Sequence, residues 1–210
     1  SIELKANYAT AHHWYHEYLT LVGRFQEASI EIKRAQELDP LSPAINAAMV
    51  LPLLHAGEYE KGIRGLQRVI ALDPDFYRTH LFIGTAYISL GEFERALEEL
   101  RLATELSHRS HRTLAVLGWA FGVTGDRSGA EAIISELKAM MDTHYVPAYA
   151  LVILNVSLGL YDRAFEWLEK AFDERDEWLT RLKIAPELDP IRRDQRFDDF
   201  VRRMGFPKDR

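Results

Sequence analysis

Gly23, Gly57, Gly91, Gly125 and Gly159 fall 34 residues apart, four intervals in succession. A fixed period of this size marks an array of small supersecondary units, each too small to bury its own apolar face. Glycine adopts the left-handed conformation that ends a helix without steric cost, so each of the five is read as a tight turn. Two residues beyond it stands an aromatic in four copies (Phe25, Tyr59, Phe93, Tyr161) and Arg127 in the other. Five beyond it stands a small residue: Ala28, Gly62, Ala96, Ala130 or Ala164. Two helices cross closely where side chains are this small.

Apolar positions repeat on both sides of the turn. Eight before the glycine lie Tyr15, Met49, Ile83, Leu117 and Leu151. Nine after lie Ile32, Leu66, Leu100, Ile134 and Leu168; twelve after lie Ala35, Val69, Ala103, Leu137 and Ala171. Such offsets suit helical stripes, so each period reads as helix, turn, helix.

The pattern resembles the tetratricopeptide repeat, whose signature is a small residue and an aromatic in the first helix, then Gly-x-aromatic-x-x-Ala, then Ala and Pro. Gly84 and Gly118 supply the small first-helix residue in the middle copies, against His16, Val50 and Val152 elsewhere. The closing proline is kept in Leu38-Asp39-Pro40 and Leu72-Asp73-Pro74, and His108, Asp142 and Asp176 replace it later. The resemblance implies an all-α right-handed superhelix of five helix-turn-helix repeats with C-terminal capping helices. The repeats are placed at 9–42, 43–76, 77–110, 111–144 and 145–178, and the cap at 179–210. Leu4-Lys5-Ala6-Asn7-Tyr8 is in phase with the end of a second helix. Residues 1–8 are therefore expected to be the tail of an upstream repeat cut from a longer protein. The ending from Leu188 to Phe206 resembles that of tetratricopeptide regions in bacterial multidomain regulators.

Pro52 lies inside the first helix of the second repeat, where it removes a backbone hydrogen bond and is expected to kink the helix, freeing the Ala48 carbonyl. Beyond residue 178 the period fails. A short helix to about Lys183, a turn through Pro186 to Pro190 and a last helix from Asp194 to Met204 are expected, with Asp194 as N-cap and Gly205 as stop.

In this family the first helices line a concave face. Here that face is expected to be apolar, with His13, Trp14 and Glu17 in the first repeat, Leu51 in the second and Arg78, Phe82 and Thr85 in the third. Arg112 and Trp119 follow in the fourth, Tyr149 and Ile153 in the fifth. An exposed apolar patch marks a contact site, and its aromatics suit hot spots. One branch of the family clamps a peptide's terminal carboxylate with Lys, Asn and Arg. The matching positions are His13, Glu17, Ala48, Arg78 and Phe82, of which only Arg78 carries the charge, so that clamp is not expected. An apolar peptide or partner segment is expected instead, with Arg78 and Arg112 meeting acidic groups at its rim. The alternative is self-association through the groove or the open N-terminal end. A further rival is that the groove holds the chain's own terminus.

Catalytic, cofactor and metal sites are not expected. The chain has no cysteine, which removes thiolate chemistry. His12 and His16 share a helix face but find no third ligand, and are expected to pack against the upstream repeat. Glu98-Glu99 and Asp198-Asp199 point apart on helices and read as solvated. The basic loop from Ser107 to Arg112 reads as a solvated linker. A net charge of −6 argues against nucleic acid, and no apolar run spans a membrane. A cytoplasmic location is expected, or a periplasmic one if the parent protein has a membrane span.

Overall fold

Each turn glycine does what its spacing requires. All five hold a positive φ, between +71° and +85°. Gly91 shows the geometry: its N–H donates to the Ile88 carbonyl at 3.0 Å and the next N–H, of Glu92, to Tyr87 at 2.9 Å. Two carbonyls at the helix end are thereby satisfied.

The computed structural model describes residues 8–206, and among these the regular structure is helical throughout. The expected upstream tail lies, apart from Tyr8, outside the described residues. The helices are α1 (Ala9–Leu21), α2 (Phe25–Leu38), α3 (Pro43–Ala48), α4 (Leu51–His55), α5 (Tyr59–Leu72), α6 (Tyr77–Leu90), α7 (Phe93–Leu106), α8 (His111–Val123), α9 (Arg127–Met141), α10 (Tyr149–Ser157), α11 (Tyr161–Asp173) and α12 (Gln195–Met204). Two short 3₁₀ helices, Glu177–Arg181 and Pro186–Ile191, precede α12. The chain divides into two compact units, one ending at Ser107 and one beginning at His108.

In the first unit α1 packs on α2, α5 on α6, and α6 on α7. Pro52 does more than kink its helix. The helix is interrupted at Met49 and Val50, so that α3 and α4 are separate pieces. Val50 N–H donates three residues back, to Ala47 at 3.1 Å. In the second unit α8 packs on α9 and α10, and α10 on α11. Most ladder positions read from the period lie in the cores, while Tyr15, Met49 and Ile134 are half-buried. Leu66, Leu100, Leu137 and Leu168 have no exposed surface, and each contributes roughly 1.5–3 kcal/mol by burial.

Close crossings sit where the small residues are. A Cβ added to Gly84 would lie 2.6 Å from Leu100 Cγ and 3.2 Å from the Ala96 carbonyl oxygen. One added to Gly118 would lie 2.7 Å from Leu154 Cδ2.

The C-terminal segment follows the expected outline, with 3₁₀ turns in place of the first short helix. Asp194 accepts from Arg196 N–H at 2.9 Å, and Gly205 ends α12 with φ +64°. Phe197 and Phe200 are buried. Arg203 reaches back to Glu169 on α11 with two hydrogen bonds of 2.7 and 2.8 Å.

Candidate functional site

In the first unit, α1 and α6 bring four of the expected groove residues together. Glu17 Oε1 lies 3.6 Å from His13 Nε2 and 3.7 Å from Arg78 Nη2. The Arg78 guanidinium also stands 5.9 Å from the centre of the Phe82 ring. Trp14, beside this cluster on α1, is 64% exposed. Tyr18, one turn further, is exposed as well and its ring stacks on Tyr15 at 6.2 Å. Leu51 and Thr85 are half-buried. Leu51 packs against the cluster of Ile32, Ala35, Ile45 and Ala48. The Thr85 hydroxyl donates to its own helix, at the Leu81 carbonyl, 2.7 Å away. The cluster is a small charged knot beside large aromatic surface. It holds no nucleophile with an adjacent base.

His12 and His16 are held by α2, where the expectation had them packing on an upstream repeat. His12 Nδ1 lies 2.6 Å from Glu31 Oε2, and His16 Nδ1–H donates to the Ala28 carbonyl at 2.9 Å; both partners are on α2. Among the described residues no three metal-ligating side chains converge.

Burial holds His13 below the ordinary histidine range; Glu17 opposes that shift, and Arg78 and His16 add to it. Burial lowers His16 too, against the Ala28 hydrogen bond. A histidine lowered on folding takes up its proton more readily when unfolded. Its stabilising contribution is complete above pH 6.5 and is lost as pH falls below that value toward the lowered folded-state pKa. Thermal melts are therefore expected to fall as the pH drops below about 6.5. In a His13→Gln, His16→Gln variant the drop is expected to be shallower; an identical slope would remove these two groups as its cause.

In the second unit, Trp119 is half-buried and lines a cleft of about 550 Å³ together with Val123, Tyr161 and the segment Pro186–Pro190. Arg112 lies over the ring of Trp178 at 5.0 Å. His111 meets the same ring at 5.9 Å, and Tyr149 meets it edge-on at 6.1 Å.

Tyr149 and Ile153 do not line an open surface. They are 1% and 3% exposed, and α10 is covered by α8, α11 and the 3₁₀ turn Pro186–Ile191. The chain's own C-terminal segment thus occupies the side of α10 where a partner was expected.

Sequence reasoning missed Asp176, which is buried. Its Oδ2 accepts from Tyr149 N–H at the start of α10, and its Oδ1 from Trp178 N–H, both at 2.9 Å. The available signal was an aspartate standing where the repeat keeps proline, just before a new helical turn; aspartate is a strong N-cap.

Residues 53–116 match the tetratricopeptide repeat family model. Over that stretch the chain is similar to tetratricopeptide repeats. A TPR repeat-containing thioredoxin of Arabidopsis thaliana is 30% identical over 78 residues, which are 37% of this chain and 11% of that protein. The chain thus spans about a tenth of that relative's length. A crystal structure of a thermophilic TPR protein from Thermus thermophilus is similar with a TM-score of 0.66 and 22% identity, covering 86% of this chain and 98% of that one. A chain of the APC/C hetero-tetramer Cut9-Hcn1 has a TM-score of 0.65 and 16% identity, covering 96% of this chain and 44% of its own. At these identities the two structures show a shared tetratricopeptide fold.

Proposed function

We propose that this chain is a non-catalytic protein-interaction module whose first-helix face receives an apolar segment of a partner. The observation that carries the reading is Trp14, 64% exposed beside the Glu17–Arg78–Phe82 cluster. A large aromatic held on a rigid helix, next to a charge that can pair, is what interface hot spots are made of. Arg78 sits far enough from Glu17 to exchange it for an acidic group of the partner. In the second unit Trp119 lines its own cleft, while Arg112 is stacked on Trp178. Tyr149 and Ile153 are withdrawn from the site. The repeats would serve a larger regulatory or signalling protein, in the cytoplasm. Among the described residues no helix is long and apolar enough to cross a membrane.

The test is a library of short blocked apolar peptides, each combining two or more phenylalanines with a single aspartate, screened by fluorescence anisotropy. Trp14→Ser with Phe82→Ser is expected to weaken the best binder by about thirtyfold, the loss of roughly 2 kcal/mol at one hot spot. Helical circular dichroism should be unchanged. Retained affinity in the double variant would move the site elsewhere.

Trp14 and Tyr18 exposed on one face of α1 also favour a second reading, self-association through that face. Mass measured across concentration separates the two, because a monomer at all concentrations removes the second.

A further inference from the structure

The first and third helix pairs share an internal device that the second lacks. His12 pairs with Glu31, and two periods later His80 pairs with Glu99 at 2.7 Å, with the same separation of 19 residues. His80 Nε2 also reaches the Pro74 carbonyl at 3.0 Å. In the intervening copy the corresponding residues are Asn46 and Gly65. Asn46 keeps the bond to the preceding loop, donating to the Pro40 and Ser42 carbonyls at 2.8 and 2.9 Å. Its oxygen accepts from Gln36 Nε2 at 2.8 Å, which completes its amide. Gly65 brings no side chain, so the carboxylate found in the neighbouring copies is missing here.

A cleft of about 490 Å³ opens at that place. Gly65, Asn46 and Gln36 line it, with apolar walls at Met49, Val50 and Leu53 beside the break between α3 and α4. Three cations of α5 border it: Lys61, Arg64 and Arg68. Lys61 is paired with Glu58. Arg64 and Arg68 stand one turn apart, exposed, with no acidic partner among the described residues. Like charges at this spacing repel, and they do so unrelieved in a chain whose net charge is −6.

We propose that this cleft is a second docking site, which takes an acidic segment of a protein partner. A glutamate or aspartate carboxylate enters between Arg64 and Arg68, as Glu31 and Glu99 do internally beside their histidines. An adjoining apolar side chain covers Met49 and Leu53. Guanidinium–carboxylate pairing is directional and charge-assisted, which makes it selective for such a group. The apolar walls at Met49, Val50 and Leu53 favour a short acidic peptide with an apolar side chain over a nucleic-acid backbone. His13, Trp14, Arg78 and Phe82 do not line the cleft, so the proposal does not depend on the first-helix face.

The probe is a fluorescein-labelled, end-blocked hexapeptide of leucine flanked by glutamates, titrated at low salt. Arg64→Gln with Arg68→Gln, both at exposed positions, is expected to weaken binding by about tenfold or more while leaving the thermal melt unchanged. Trp14→Ser with Phe82→Ser is expected to bind this peptide as the natural chain does. The same peptide with glutamine in place of glutamate is expected not to bind. Equal affinity in the arginine variant, equal affinity for the glutamine peptide, or no binding by the natural chain would each overturn the proposal. So would tighter binding of a single-stranded RNA of equal charge.

Discussion

Asp176→Ala is expected to destabilise the unit that begins at His108 by about 2–6 kcal/mol, because it strands two N–H groups, each costing roughly 1–3 kcal/mol when buried and unpaired. Asp176 is 3% exposed, and each of its oxygens takes one bond at 2.9 Å, from Tyr149 and from Trp178. The carboxylate therefore holds the start of α10 and the turn that follows α11 in one piece. Asp176→Asn keeps one acceptor and is expected to lose about half as much. Urea unfolding followed by tryptophan fluorescence reports this directly, since Trp178 stands beside the site. A loss below about 1 kcal/mol in the alanine variant would mean that the two donors find other partners.

Ala96→Leu is expected to cost about 3 kcal/mol, the upper end of what overpacking a closed core exacts. Ala96 has no exposed surface, and its carbonyl lines the gap left by Gly84, where α6 and α7 cross. Three added carbons have no room there, so the helices must part. The effect should appear as a lower midpoint in chemical denaturation, with the helical spectrum retained at low denaturant. Leu102, on the outer side of the same helix and 40% exposed, is the control. Its change to alanine is expected to stay within about 0.5 kcal/mol. Equal losses at both positions would show that the crossing is not tight.

The paired helices were legible in the sequence because one requirement, a left-handed turn, recurs at one spacing and is met each time by glycine. The close crossings were legible for a related reason: Ala28, Ala96, Ala130 and Ala164 keep a fixed distance from that turn, and all are buried. Pro52 announced its break through its missing N–H.

The faces were harder to read. A helical stripe says which residues share a side, and the neighbouring element decides whether that side is open. Trp14 kept its exposure, while Tyr149 and Ile153, which match His13 and Glu17 in the period, were covered by a turn from beyond residue 178. The period stops there, so periodicity carried no information about the fold-back. The histidine–glutamate pairs were missed because they join two helices across a turn, at a separation no single-helix pattern contains. Seeing them in the first and third copies is what makes Gly65 in the second copy informative.

The proposed docking face rests on large aromatic side chains held at the surface by helices that are themselves well packed. Backbone hydrogen exchange with and without the best binder of the peptide library tests this most directly. Slowed exchange is expected in α1 and α6, centred on Trp14 and Phe82, in the presence of the peptide. Slowing confined to α7, α9 and α11, with α1 and α6 unchanged, would contradict it.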